Sequence, residues 1–167
     1  MNQQVELREL MMLDDYLYDD CHGLSVDLVN KRQIMFIPIL GCHMISEATV
    51  IFDYPMGTEE IGRLIFQFFE QMKQRNLTLH FPYKNYWLMP KGIRSFKKYV
   101  EAAFPVSLEW DGNVLGVNRW IPAPDRGFIS EGPGGHEVTI STSISAKELG
   151  EFILQQFDYI ERRRQDS

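Results

Sequence analysis

One stretch of the chain occurs twice. Residues Val50 to Phe69 can be laid on Val138 to Phe157 at a single constant offset, and Val50/Val138, Glu60/Glu148, Gly62/Gly150, Ile65/Ile153, Gln67/Gln155 and Phe69/Phe157 are identical. Each copy reads as strand, short loop and amphipathic helix. In the first helix Ile61, Leu64, Ile65, Phe68, Phe69 and Met72 make one apolar stripe of a 3.6-residue period, and Leu149, Phe152, Ile153, Phe157 and Ile160 repeat it in the second. Ser145 with Glu148 forms an S-x-x-E capping box, and Gly57 with Glu60 stands at the matching place. Gly62 and Gly150, one turn into each helix, lower helix propensity, so close packing of each helix on a neighbour is expected. The alternative is two unrelated amphipathic helices that share common residues.

Between the copies the pattern changes. Pro90 opens a predicted helix over 91–103, with Ile93, Phe96, Val100 and Ala103 on one side. Val106 to Trp110 and Val114 to Ile121, joined by Asp111-Gly112-Asn113, predict a β-hairpin. Residues 122–135, rich in proline and glycine, read as an ordered loop. Gln33 to Leu40 reads as a buried strand that Pro38 pushes toward an edge or bulge. The fold class expected is α+β: a mostly antiparallel sheet with packed helices, in which two strand-helix pseudo-repeats, near 49–73 and 137–161, frame a central helix and β-hairpin. At 167 residues, 44% apolar and 24% charged, the chain suits one domain over 1–167 with its own core.

Seventeen Lys and Arg against 23 Asp and Glu leave a net charge of −6, which disfavours free nucleic acid and anionic membranes as partners. The N-terminal residues lack a basic region followed by an apolar run, and the stretch from Ile34 to Ile45 is broken by Pro38, Gly41 and His43. A cytoplasmic protein with reduced cysteines is therefore expected. The charges are unevenly spread. Asp14, Asp15, Asp19, Asp20 and Asp27 stand together without a base, and Lys84, Lys91, Arg94, Lys97 and Lys98 without an acid. Two solvated faces, or mutual attraction within the fold, account for this as well as a docking role does.

The chemistry-bearing residues are few. Cys21-His22 and Cys42-His43 hold two zinc-ligand types each, but strand neighbours point to opposite faces and neither doublet has a chelating spacing, so no metal is expected. A Cys-His pair brought together by the fold would serve a small hydrolase. His136 follows Gly134-Gly135, yet there is no G-x-S-x-G, and the Gly132-Pro133-Gly134-Gly135 loop precedes a strand and not the helix that a phosphate cradle needs. No cofactor motif is present. A non-catalytic interaction module, dimeric through an exposed edge strand, is the remaining class.

The repeated strand with its E-x-G-x-x-[IF]-x-x-x-[FL] helix, the intervening segment Lys91-Gly92-Ile93-Arg94-Ser95-Phe96-Lys97-Lys98-Tyr99 and the hairpin after it resemble the immunity proteins of bacterial contact-dependent growth inhibition. The resemblance spans Thr49 to Phe157. It implies a cytosolic stoichiometric inhibitor that binds a cognate toxin domain, commonly a nuclease, blocks its active site or substrate surface and catalyses nothing. It supplies no residue-level binding motif, so contact residues follow from physics. A nuclease groove is cationic, which selects Asp14, Asp15, Asp19 and Asp20 first and Asp125 and Glu131 second, with Trp120 or Phe128 as aromatic anchor.

Overall fold

A computed structural model describes residues 22–40, 43–44, 49–73, 90, 92–124, 127–131 and 138–166, with backbone only at 22, 40, 43 and 44. In the first half of the chain run β1 (His22–Val29), β2 (Gln33–Leu40), β3 (His43–Met44), β4 (Val50–Asp53) and α1 (Thr58–Lys73). The second half brings α2 (Phe96–Ala102), β5 (Ala103–Asp111), β6 (Val114–Pro122), β7 (Phe128–Ser130), β8 (Val138–Ser141) and α3 (Ala146–Gln165). The strands form one eight-stranded antiparallel sheet, ordered β3-β2-β1-β5-β6-β7, with β4 also on β2 and β8 also on β6. This is the α+β architecture expected, and the duplication turns out to be larger than the repeated sequence.

The registers show how far it extends. Gln33 pairs with Asp53 where Val114 pairs with Ser141, and Val29 pairs with Gln33 where Asp111 pairs with Val114. Each of β1, β2, β4 and α1 therefore has a counterpart in β5, β6, β8 and α3, and the short β3 and β7 extend β2 and β6 in the same way. Counting back along these ladders makes Ser25 equivalent to Ser107 and Asp27 to Glu109. Ser25 and Ser107 also face each other across the β1–β5 ladder, so the pseudo-twofold axis passes through that pair.

Strand alternation sorts the side chains onto two faces. Leu24, Val26 and Leu28 of β1, Ile34 and Phe36 of β2, Val106 and Leu108 of β5, and Leu115 and Val117 of β6 face the two long helices. Ile61, Ile65, Phe68, Phe69 and Met72 meet them from α1, and Leu149, Ile153, Phe157 and Ile160 from α3, which are the predicted stripes. Leu64 and Phe152 lie half-buried at the edge of this core. The capping box is in place: Glu148 N–H donates to Ser145 Oγ at 3.1 Å and Ser145 N–H to Glu148 Oε2 at 2.9 Å.

The two glycines mark where the helices touch. A Cβ on Gly62 would lie 1.7 Å from the Ala146 carbonyl oxygen, and a Cβ on Gly150 1.8 Å from that of Thr58. These are one contact seen twice across the pseudo-axis. The first turns of α1 and α3 cross there backbone to backbone, which only glycine permits.

Three expectations are corrected. The central helix starts at Phe96 and not at Lys91, because Gly92 takes φ +85 and Ser95 is the N-cap, its Oγ accepting from Lys98 N–H at 3.2 Å. Consequently Phe96 is 62% exposed, Ile93 is buried ahead of the helix and Ala103 belongs to β5. Asp27 is no surface acid: it lies in β1, a strand with no solvent-facing side, and is fully buried. Pro38 sits inside β2, opposite Leu24, where the outer side of β2 has passed β4 and not yet reached β3, so its missing N–H is tolerated.

The second face of the sheet is covered in part by α2. Val29, Met35, Ile37 and Ala103 pack there with Ile93, Tyr99 and Phe128. No residue of α2 is fully buried, and polar contacts hold it. At its C-terminus the Arg164 guanidinium, from the end of α3, donates to the carbonyls of Glu101 at 2.8 Å, Val100 at 3.1 Å and Ala103, and lies 4.8 Å from the Phe104 ring centre. It fills orphan carbonyls at the negative end of the helix dipole. Arg164→Ala is expected to lower the unfolding free energy by about 2 kcal/mol in denaturant titration. Arg164→Lys recovers less than half of that loss, because an ammonium cannot fork across three carbonyls.

Candidate functional site

The predicted contact residues that are described all lie in one hairpin. β6 and β7 pair Trp120 with Ser130 and Pro122 with Phe128, and Ala123 N–H donates to Gly127 O at 2.9 Å to close the turn, in which Gly127 takes φ +68. The matching connection of the first half, between β2 and β4, is shorter than that between β6 and β8.

Its two sides carry different chemistry. On the second face of the sheet Trp120 is half-buried, with Nε1 donating to Ser107 Oγ at 2.8 Å, and Ser130 Oγ donates to Asn118 Oδ1 at 3.3 Å. The equivalents of Asn118 and Gly116 in the first half are Ile37 and Met35, which belong to the apolar patch under α2. Asn118 and Gly116 on β6 thus stand where β2 has apolar side chains. Phe128 stands on the same side, its ring meeting Tyr99 edge-on at 6.3 Å and 90°. Trp120 and Phe128 are therefore brought to one face.

Glu131 is on the other side, facing α3. Arg163 Nε donates to Glu131 Oε1, Glu131 N–H donates to Arg119 O at 2.9 Å, and the carboxylate is 12% exposed. The Arg119 guanidinium stacks over the Tyr159 ring at 3.8 Å and donates to Gln156 Oε1 at 3.5 Å. Burial and a hydrogen bond to Glu131 push the Tyr159 phenol up. Glu131 thus fastens the hairpin to α3. Its neighbour Ile129 is 47% exposed. Asp14, Asp15, Asp19, Asp20 and Asp125 lie outside the described residues, as do Cys21, Cys42, His80, His136 and the side chains of His22 and His43.

Sequence reasoning missed a polar cluster beneath α2. Ser25 Oγ donates to Asp27 Oδ1 at 2.5 Å, the Tyr99 hydroxyl donates to Asp27 Oδ2, and Met35 Sδ lies 3.8 Å from that hydroxyl. Burial pushes the Asp27 carboxyl up to about 6, against both hydrogen bonds, and pushes the Tyr99 phenol up as well, so Tyr99 stays a donor. Strand alternation alone would have put Ser107, Asn118 and Trp120 on one face. Nothing local marks Asp27, whose partner Tyr99 is distant in sequence. Among the described residues no three His, Cys, Asp or Glu cluster as metal ligands, and no helix is long and apolar enough to cross a membrane.

No family model matches the chain, and no curated protein matches it. Among solved structures the chain is similar to a protein of unknown function, NMB0488, from Neisseria meningitidis. The two are 11% identical with a TM-score of 0.55, over 84% of this chain and 96% of that one. At that identity the likeness concerns the fold.

Proposed function

We propose that the protein is a stoichiometric inhibitor of a toxin: an immunity protein of the contact-dependent growth inhibition type, working in the bacterial cytoplasm against a cationic toxin domain such as a nuclease. The observation that carries this reading is the β6–β7 hairpin. Its connection is longer than that of the equivalent β2–β3 hairpin, and hydrogen bonds fix it at Trp120–Ser107, Ser130–Asn118 and Glu131–Arg163. A half-buried tryptophan held in one rotamer loses little entropy on binding, and such anchors dominate interface energies. The charge of the chain supports the same partner class. The first 21 residues hold Glu6, Glu9, Asp14, Asp15, Asp19 and Asp20 and a single base, Arg8, an acidic excess suited to a groove that holds phosphates. The repeated helix motif, which resembles those immunity proteins, is consistent with it.

Coexpression with the toxin domain encoded immediately upstream tests the proposal. A purifiable complex and restored growth are expected. Trp120→Ala should weaken the complex by about 30-fold or more with little change in melting temperature. Continued toxicity with no complex formed would refute the assignment.

A further inference from the structure

We propose that α2 is a pH-responsive brace: a polar-docked helix that holds the β6–β7 hairpin in place and loosens as the medium turns from mildly acidic to mildly alkaline. The inference builds on the hairpin as binding element.

The geometry couples three parts. Tyr99 of α2 donates its hydroxyl to Asp27 in β1, and the edge of its ring meets Phe128 in β7. One turn earlier the Phe96 ring stands 3.8 Å from where a Cβ on Gly127, the residue just before that strand, would lie. A single short helix therefore touches the hairpin at Phe128, with Phe96 beside Gly127, while one of its anchors is a buried carboxylate. Gly92, at φ +85 just ahead of α2, gives the chain a pivot. Lifting α2 would uncover Val29, Met35, Ile37 and Ala103 and admit water to Asp27.

That last step makes docking depend on protons. With α2 docked, Asp27 holds its proton up to about pH 6, whereas a hydrated aspartate holds it only to about 3.8. The docked state binds the proton more tightly, so docking is strongest at low pH and weakens as pH rises through 6. Linkage between these two values gives about a tenfold rise in the opening constant from pH 5 to pH 7.5. No other described group facing Asp27 titrates in this range. Its register neighbours Met35 and Pro105 carry no charge, and Tyr99 stays protonated. Lys97, Lys98 and Glu101 on α2 are exposed, and Arg164 grips carbonyls at the far end of the helix.

Hydrogen exchange on the free full-length protein tests this, with rates corrected for intrinsic pH dependence. Amides of 96–102 and 128–130 should open together, about ten times more at pH 7.5 than at pH 5. Asp27→Asn should abolish the pH dependence. Tyr99→Phe, which keeps the ring against Phe128, should raise opening of α2 and β7 in step at both pH values. The proposal is overturned by pH-independent exchange in the wild type, or by a Tyr99→Phe protein in which α2 opens and β7 does not. No toxin enters the experiment, so its failure would leave the inhibitor reading standing, and the failure of that reading would leave this result intact.

Discussion

Replacing Gly62 with alanine is expected to lower the unfolding free energy by roughly 3 kcal/mol or more, and Gly150→Ala to do the same. An alanine in a helix interior ordinarily gains about 1 kcal/mol over glycine, so the sign itself is informative. The loss arises because each new methyl would sit inside the carbonyl group of the opposing helix, at Ala146 or Thr58. Backbone cannot rotate away as a side chain can, so α1 and α3 must separate. That separation also opens the packing of Ile61 and Ile65 against Leu149 and Ile153. Both substitutions force the same displacement, so the double variant should cost clearly less than the sum of the single ones. Denaturant titration of the four proteins measures it. A Gly62→Ala protein as stable as the wild type would show that the helices do not meet there.

Asp27→Asn is expected to change how stability depends on pH, by about 3 kcal/mol across the range. The folded carboxyl titrates near 6 and the unfolded one near 3.8. A group raised on folding adds stability that is fully present below the unfolded value and is lost as pH rises through the folded one. Subtracting the variant from the wild type cancels the other titrating groups, and the difference should fall from pH 4 to pH 8. Asparagine can accept from Tyr99 and donate to Ser25, so the variant should equal or exceed the wild type at pH 8. Asp27→Ala instead leaves the Tyr99 hydroxyl buried without an acceptor and should cost about 1–3 kcal/mol at any pH.

How much of this was legible in the sequence depends on the range of the interaction involved. Local periodicity located α1 and α3, the Ser145 cap and the β5–β6 hairpin, whose turn has Gly112 at φ +61 in the first of its two positions. The helical glycines were legible as close-packing residues, but the sequence did not name the surface they meet. β1 alternates as a strand does, Leu24, Val26 and Leu28 against Ser25 and Asp27, but its burial on both faces was not legible, because Ser25 and Asp27 look like surface residues until Tyr99 is placed above them. The full duplication escaped as well. Paired strands need a common register and only similar side chains, so Ile34/Leu115 and Phe36/Val117 are equivalent without being identical. At the site, Trp120 and Phe128 stood out as aromatics beside a loop. Glu131 was read as a docking carboxylate, and its bond to Arg163 depends on how α3 lies across the sheet, which no local pattern encodes.

Titration of the toxin domain's activity with the purified protein tests the proposed inhibition most directly. An inhibitor that works by occupying a surface should reduce activity linearly to zero at one equivalent, and Trp120→Ala should bend that line into a shallow curve. Inactivation that proceeds with time at a small fraction of an equivalent, or a toxin left fully active at excess, would contradict it.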